Sequence, residues 1–215
     1  MTEKDHKTAL IMVDLQNDFC QGGSLAVPDA DSVVFLANQL QPHFDRVIAT
    51  QDWHPEGHVS FASSHPGEKV GNVIQVDQIL QVLWPDHCVQ GSQGAALHPA
   101  LVNARIDKMI QKGSNRKIDS YSAFFDNEHL RSTGLADYLR EQDVRDIYVM
   151  GLATDYCVKY SCLDAVRLGL NVYVIEDACR GIDLNPGDIA SSIREMQAAG
   201  VKVVQVSDVL MRQYA

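Results

Sequence analysis

At 215 residues with 46% apolar content, the chain is long enough to bury one substantial core and short for two, so a single domain over residues 1–215 is expected. A net charge of −10 with no Lys/Arg cluster argues against nucleic acid and anionic membranes as partners. Five cysteines at irregular spacing lack the density of a secreted disulfide scaffold, and the first apolar run, 9–13, is too short for a signal-peptide core or a membrane span; a reduced, cytoplasmic protein is expected.

In chain order, residues 8–13 and 46–50 read as strands on either side of a helix at 32–40, and 108–111 reads as a third strand. Helices at 135–141, 155–168 and 188–199 then alternate with strands at 146–150, 172–176 and 202–206, and Gly169 and Gly200 stand where helix C-caps belong. Near-continuous apolar strands joined by helices indicate an α/β fold: a three-layer α/β/α, doubly wound, mostly parallel six-stranded sheet covered on both faces. Segments 52–98 and 113–128 break the alternation. They carry Gly, Pro, His and aromatic residues and are too long for simple connections, so they are expected to build the site.

The most informative stretch is Ile147-Tyr-Val-Met-Gly151-Leu-Ala-Thr154-Asp-Tyr-Cys157-Val158. A buried strand breaks at Gly151, Thr154 is placed as a helix N-cap, and Cys157 falls in the first helical turn. There free backbone N–H groups and the helix dipole favour thiolate, so the nucleophile is partly activated before any side chain is counted. A lone cysteine is more often one more buried small residue, which is how Cys162 reads. The strand, turn and helix setting reverses that balance for Cys157.

Ligands in such folds bind at the carboxyl ends of the strands. Asp14 ends the first strand, Asp52 follows the second, Lys112 ends the third and Cys157 follows the fourth. An Asp to take the thiol proton, a Lys to favour anions and a thiol to attack make a nucleophilic set. Each alone reads as a turn carboxylate, a solvated lysine or a core cysteine; convergence carries the reading.

Asp52-Trp-His54 with the more distant His87 offers one carboxylate and two imidazoles, the donor set of open Zn²⁺, Mn²⁺ or Fe²⁺ sites. The spacing matches no specific zinc pattern, and on spacing alone metal ligation and capped loop histidines stand level. His58, His65 and His98 read as ordinary polar loop residues, with His58, close to the Asp52-Trp-His54 motif, as a second choice for the metal.

Together, Ile11-Met-Val-Asp14-Leu-Gln-Asn-Asp-Phe19, Thr50-Gln-Asp52-Trp-His54, Trp84-Pro-Asp-His87-Cys-Val, Gln111-Lys112-Gly, Asp119-Ser-Tyr121-Ser-Ala-Phe and Gly151-Leu-Ala-Thr-Asp-Tyr-Cys157-Val make the chain resemble, over nearly its whole length, the nicotinamidases of the isochorismatase-like cysteine hydrolases. The resemblance implies a catalytic triad of Asp14, Lys112 and Cys157, and a divalent metal, Zn²⁺ first and Mn²⁺ or Fe²⁺ as alternatives, on Asp52, His54 and His87. It implies a cis peptide before Ala153, an oxyanion hole from the N–H groups of Ala153 and Cys157, and a pyridine pocket lined by Phe19, Trp84 and Tyr121. It also implies hydrolysis of nicotinamide to nicotinate and ammonia through a thioester, pyrazinamide as a second substrate, and a place in NAD salvage; a homo-oligomer stays open. The alternatives are another amidohydrolase of the superfamily, with an N-carbamoyl or ureido substrate, and a non-catalytic binding module. A thiol redox protein is disfavoured because no C-x-x-C supplies a resolving cysteine.

Overall fold

The computed structural model describes residues 6–77 and 79–211. Its centre is a six-stranded sheet of β1 (Lys7–Val13), β2 (Arg46–Asp52), β5 (Lys108–Lys112), β6 (Val144–Leu152), β7 (Asn171–Arg180) and β8 (Lys202–Val204), in the order β5-β2-β1-β6-β7-β8. Every neighbouring pair is parallel. Residues 147–152 of β6 are all buried, which requires cover on both faces of the sheet and explains why the strand reads as an unbroken apolar run. The cover is supplied by α1 (Ala30–Leu40), α2 (Leu135–Glu141), α3 (Lys159–Arg167), α4 (Asp188–Ala198) and α5 (Val206–Met211), with α1 packed on α5 and α3 on α4. Among the described residues no helix is long and apolar enough to cross a membrane.

From β1 in the middle of the sheet the chain runs outward through β2 and β5, then returns to the other side of β1 to lay down β6, β7 and β8. The order reverses between β1 and β6, and the crevice beyond that switch point is where such folds bind ligands. Val13 pairs with Gly151 there. Gly151 sits at φ 120°, and a Cβ on it would collide with the carbonyl oxygen of Val13. Only glycine lets the two strands approach this closely while the backbone turns toward Cys157.

Several boundaries depart from the expected ones. β6 does not break at Gly151 but continues to Leu152, because β7 shifts register past Val149 and pairs Cys179 with Gly151. The last strand stops at Val204, and Val206 opens α5 instead, its N–H held by Asp177 Oδ1 at 2.8 Å. Between β2 and β5 lies an antiparallel hairpin of β3 (Val73–Val76) and β4 (Ile79–Val82), separate from the main sheet and not expected from the apolar pattern. Its outer face carries exposed Val73 and Leu80, while Gln81 is buried on the inner one.

Candidate active site

The turn after β6 differs from the expected helix start. Residues Thr154–Val158 form a single π-helical turn, the α-helix begins only at Lys159, and Ala153 rather than Thr154 occupies the cap position; no side chain caps the turn. The Leu152–Ala153 peptide is cis, as the resemblance implies. The wider π turn leaves Cys157 ahead of α3, facing the crevice rather than inside the first turn of an α-helix.

Opposite it, three strand ends converge. Asp52 and Lys112 are register partners on β2 and β5, so their side chains leave the sheet side by side. The Lys112 ammonium is buried and lies 2.5 Å from Asp52 Oδ1, 2.9 Å from Asp14 Oδ2, 3.0 Å from the carbonyl of Ser120 and 3.3 Å from Cys157 Sγ. Burial disfavours its charge, but Asp14 and Asp52 outweigh that and hold its pKa well above the ordinary lysine value. Asp14 adopts φ 52°, with its N–H on Thr50 Oγ1 at 3.0 Å and its Oδ1 accepting the Thr50 hydroxyl at 2.5 Å. Burial raises its pKa against the pull of Lys112.

The thiol is not poised as the sequence suggests. Burial pushes Cys157 well above the ordinary thiol range; Lys112 opposes, while Asp14 and Asp52 add to the rise. The resting group is therefore a neutral thiol beside a carboxylate whose own pKa is raised, and a proton can pass between the two. Cys162 is buried in α3, as expected of a core residue, and among the described residues all five cysteines are free.

The second cluster shares the same cavity. His54 Nδ1 lies 2.9 Å from the carbonyl of Gly113, and His87 Nδ1 lies 2.8 Å from that of Pro85. Carbonyls only accept, so both rings carry their proton on Nδ1 and turn an Nε2 lone pair inward. Those lone pairs face Asp52 Oδ2, at 3.5 Å from His54 and 3.8 Å from His87. The three donor atoms lie within 4.8 Å of one another and all three residues are buried. Burial holds His87 down to about 4, so it is neutral; in His54 the pull of Asp52 outweighs burial and raises the pKa. Two imidazoles with outer carbonyl partners and one carboxylate fit a divalent ion with open positions.

A pocket joins the two clusters. Phe19, Trp84, Tyr121, Ala153 and Cys157 all line it, together with Asp52, His54 and His87; Asp14 and Lys112 lie behind the thiol. The N–H of Ala153 meets no acceptor among the described residues. Every expected site residue is thus brought to one crevice.

A family model for the isochorismatase domain matches residues 8–208. The chain belongs to the isochorismatase family. Within the family it is 52% identical over 204 residues to the nicotinamidase of Escherichia coli K12, spanning 93% of this chain and 95% of that one. Among solved structures it is similar to a nicotinamidase and pyrazinamidase of Acinetobacter baumanii, with a TM-score of 0.93, 45% identity, and coverage of 96% and 100% of the two chains. It is also similar to a pyrazinamidase of Pyrococcus horikoshii in complex with zinc, with a TM-score of 0.75, 35% identity, and coverage of 93% and 99%.

Other residues at the site were not singled out from the sequence. Leu25, Asp119, Tyr156 and Ile182 complete the pocket wall. His58 differs: read first as a loop histidine and only second as a metal ligand, it is buried and stacked on His54 at 4.1 Å between ring centroids, with Nε2 lacking a hydrogen-bond partner among the described residues. Burial lowers its pKa to about 4. The signal was the clustering of histidines after Asp52, which says nothing about which ring turns inward. His65 and His98 behave as expected, held in loops by the Val59 carbonyl and by Asp31.

Proposed function

We propose that this chain, as one isochorismatase-like hydrolase domain over residues 1–215, is a nicotinamidase that hydrolyses nicotinamide to nicotinate and ammonia through a thioester on Cys157. The observation that carries the reading is the Lys112 ammonium, 2.9 Å from Asp14 and 3.3 Å from Cys157 Sγ at the back of an aromatic pocket. Asp14 takes the thiol proton as sulfur attacks the carboxamide carbon. The oxyanion is held by the N–H groups of Ala153 and Cys157. Asp14 returns its proton to the departing nitrogen, the C–N bond breaks, and ammonia leaves a thioester behind. Water then gives a proton to Asp14 and attacks the thioester; the C–S bond breaks, nicotinate forms and the proton returns to sulfur. Lys112 stays charged throughout, so the thiolate forms beside a fixed cation rather than beside two carboxylates alone.

Phe19, Trp84 and Tyr121 pack the ring. Asp52, His54 and His87 would hold a divalent ion, Zn²⁺ before Mn²⁺ or Fe²⁺, and such an ion would supply a Lewis acid for the ring nitrogen that helps orient the carboxamide toward the thiol. Pyrazinamide, with the same ring size and carboxamide, is the second substrate. The physiological setting is NAD salvage in the cytoplasm.

Ammonia release from nicotinamide by the purified protein, before and after chelation and metal replacement and with Cys157→Ala as control, tests the whole reading. Metal-dependent release that the variant lacks is expected. Release that survives verified metal removal demotes Asp52, His54 and His87 to structural residues, and no release with any metal overturns the activity.

A further inference from the structure

The hairpin β3–β4 sends one polar side chain inward. Gln81 is 2% exposed, and its Nε2 lies 2.7 Å from the carbonyl of Val82, 3.1 Å from Asp119 Oδ2 and 3.3 Å from the Tyr121 hydroxyl. A carbonyl and a carboxylate only accept, so the amide nitrogen, not its oxygen, must face this side. Two N–H groups serve three acceptors, one of them shared. The Tyr121 oxygen receives a second donor, the indole N–H of Trp84, at 3.2 Å. An indole N–H cannot accept, so both lone pairs of the phenol oxygen are occupied by groups that only donate. What remains is the phenol's own proton, which reaches no acceptor among the described residues, in a side chain that lines the pocket.

We propose that Gln81, through the N–H it gives to Tyr121, is a positioning residue that makes the Tyr121 hydroxyl a hydrogen-bond donor to an acceptor atom of the bound ring amide. Asp119 sets the orientation of the Gln81 amide, and Gln81 with Trp84 sets the polarity of Tyr121. The assignment rests on the amidase reading above and adds a determinant of substrate binding outside the proposed triad and the metal ligands. Burial and the nearby Asp119 keep the phenol well above its ordinary pKa, so the proton is present at every working pH. Without Gln81, a lone pair of Tyr121 is free and the hydroxyl can turn away from the pocket.

The test is a double-mutant cycle on nicotinamide hydrolysis with Gln81→Met, Tyr121→Phe and both together. One neutral hydrogen bond corresponds to about a tenfold change. Tyr121→Phe is expected to raise KM about tenfold with a smaller change in kcat, and Gln81→Met to raise it several-fold, since the lost bond is restored in only part of the population. In the Tyr121→Phe background Gln81→Met is expected to add nothing, because the hydroxyl it directs is gone; a merely structural glutamine would give losses that multiply. Gln75→Met, on the exposed outer face of the same hairpin, is the control and keeps wild-type kinetics. If Gln81→Met melts below the assay temperature, Gln81→Leu, which is apolar and likewise lacks the N–H, replaces it in the cycle. An active wild type whose Gln81 variant keeps its KM, or whose double variant loses the product of the single losses, overturns the assignment alone. A wild type that releases no ammonia from nicotinamide overturns the amidase reading and the assignment with it.

Discussion

The Thr50 hydroxyl donates to Asp14 Oδ1 across 2.5 Å, and both residues are fully buried at the ends of neighbouring strands. Burial raises the Asp14 pKa, Lys112 opposes the rise, and the Thr50 bond lowers it further by favouring the carboxylate. Thr50→Val keeps the shape and removes the donor. The carboxyl then becomes a weaker acid, and the acidic limb of the kcat/KM profile is expected to move to higher pH by about one unit. A limb that stays in place removes Asp14 from the proton transfer, or Thr50 from its control.

Cys157 and Cys162 are both buried thiols, but only Cys157 lies against Lys112. Cys157→Ala is expected to abolish ammonia release, while Cys162→Ala keeps kcat within about threefold and costs about 1 kcal/mol in stability from a small cavity. Parallel assays with thermal melts separate the two. Equal loss of activity in both variants defeats the nucleophile assignment.

Lys112→Met leaves two buried carboxylates without their cation. Removing one partner of such a pair typically costs about 3–5 kcal/mol, measurable by urea unfolding. Because Lys112 lowers the Cys157 pKa against burial, its loss is expected to shift iodoacetamide labelling of Cys157 to higher pH. An unshifted labelling profile in a folded variant would leave Lys112 a purely structural role.

Gly113 sits at φ 65°, and a Cβ there would run into the His54 imidazole whose Nδ1 its carbonyl receives. Gly113→Ala is expected to tilt that ring and weaken divalent metal affinity about 10–100-fold, as loss of an outer-sphere partner does. Metal content after dialysis against graded chelator reads this without an activity assay. Wild-type retention of metal by the variant would place the ion elsewhere.

Burial raises the Cys179 thiol to about 12 from an unperturbed 9.0. The folded chain keeps this proton while the unfolded chain releases it, so the stabilising contribution is complete below pH 9.0 and is lost as pH rises toward 12. Melting temperature is expected to fall across that window, and Cys179→Ala to fall less steeply. Parallel curves for the two proteins would show that other groups carry the alkaline loss.

Strands β1, β2 and β6 were legible because each holds a run of residues buried on both faces, and β5, β7 and β8, which carry exposed residues, were legible as short β-type runs alternating with helical ones. The hairpin β3–β4 was not: Val73 and Leu80 face outward while Gln81 faces in, which inverts the alternation a reader of apolar periodicity relies on. Nor was the π turn at Thr154–Val158, since a capping residue such as Thr154 looks the same before any kind of helix. α5 was hidden because its start depends on Asp177, about thirty residues earlier, accepting the Val206 N–H.

The residue types of the site were determined by the sequence itself: an Asp, a Lys and a Cys at the ends of strands, and a carboxylate with two imidazoles in the loops between them. Side-chain chemistry and strand-end position are local properties, and they survive in a linear reading. What the tertiary structure decided is how these groups act on one another. It brought Lys112 between Asp14 and Cys157, and it buried the thiol so deeply that the group stays protonated in spite of that cation. It also turned His58 inward beside His54, and through Gln81 it gave Tyr121 a direction. Proton positions and charge depend on burial and on neighbours up to sixty residues away, and only the fold brings those neighbours together.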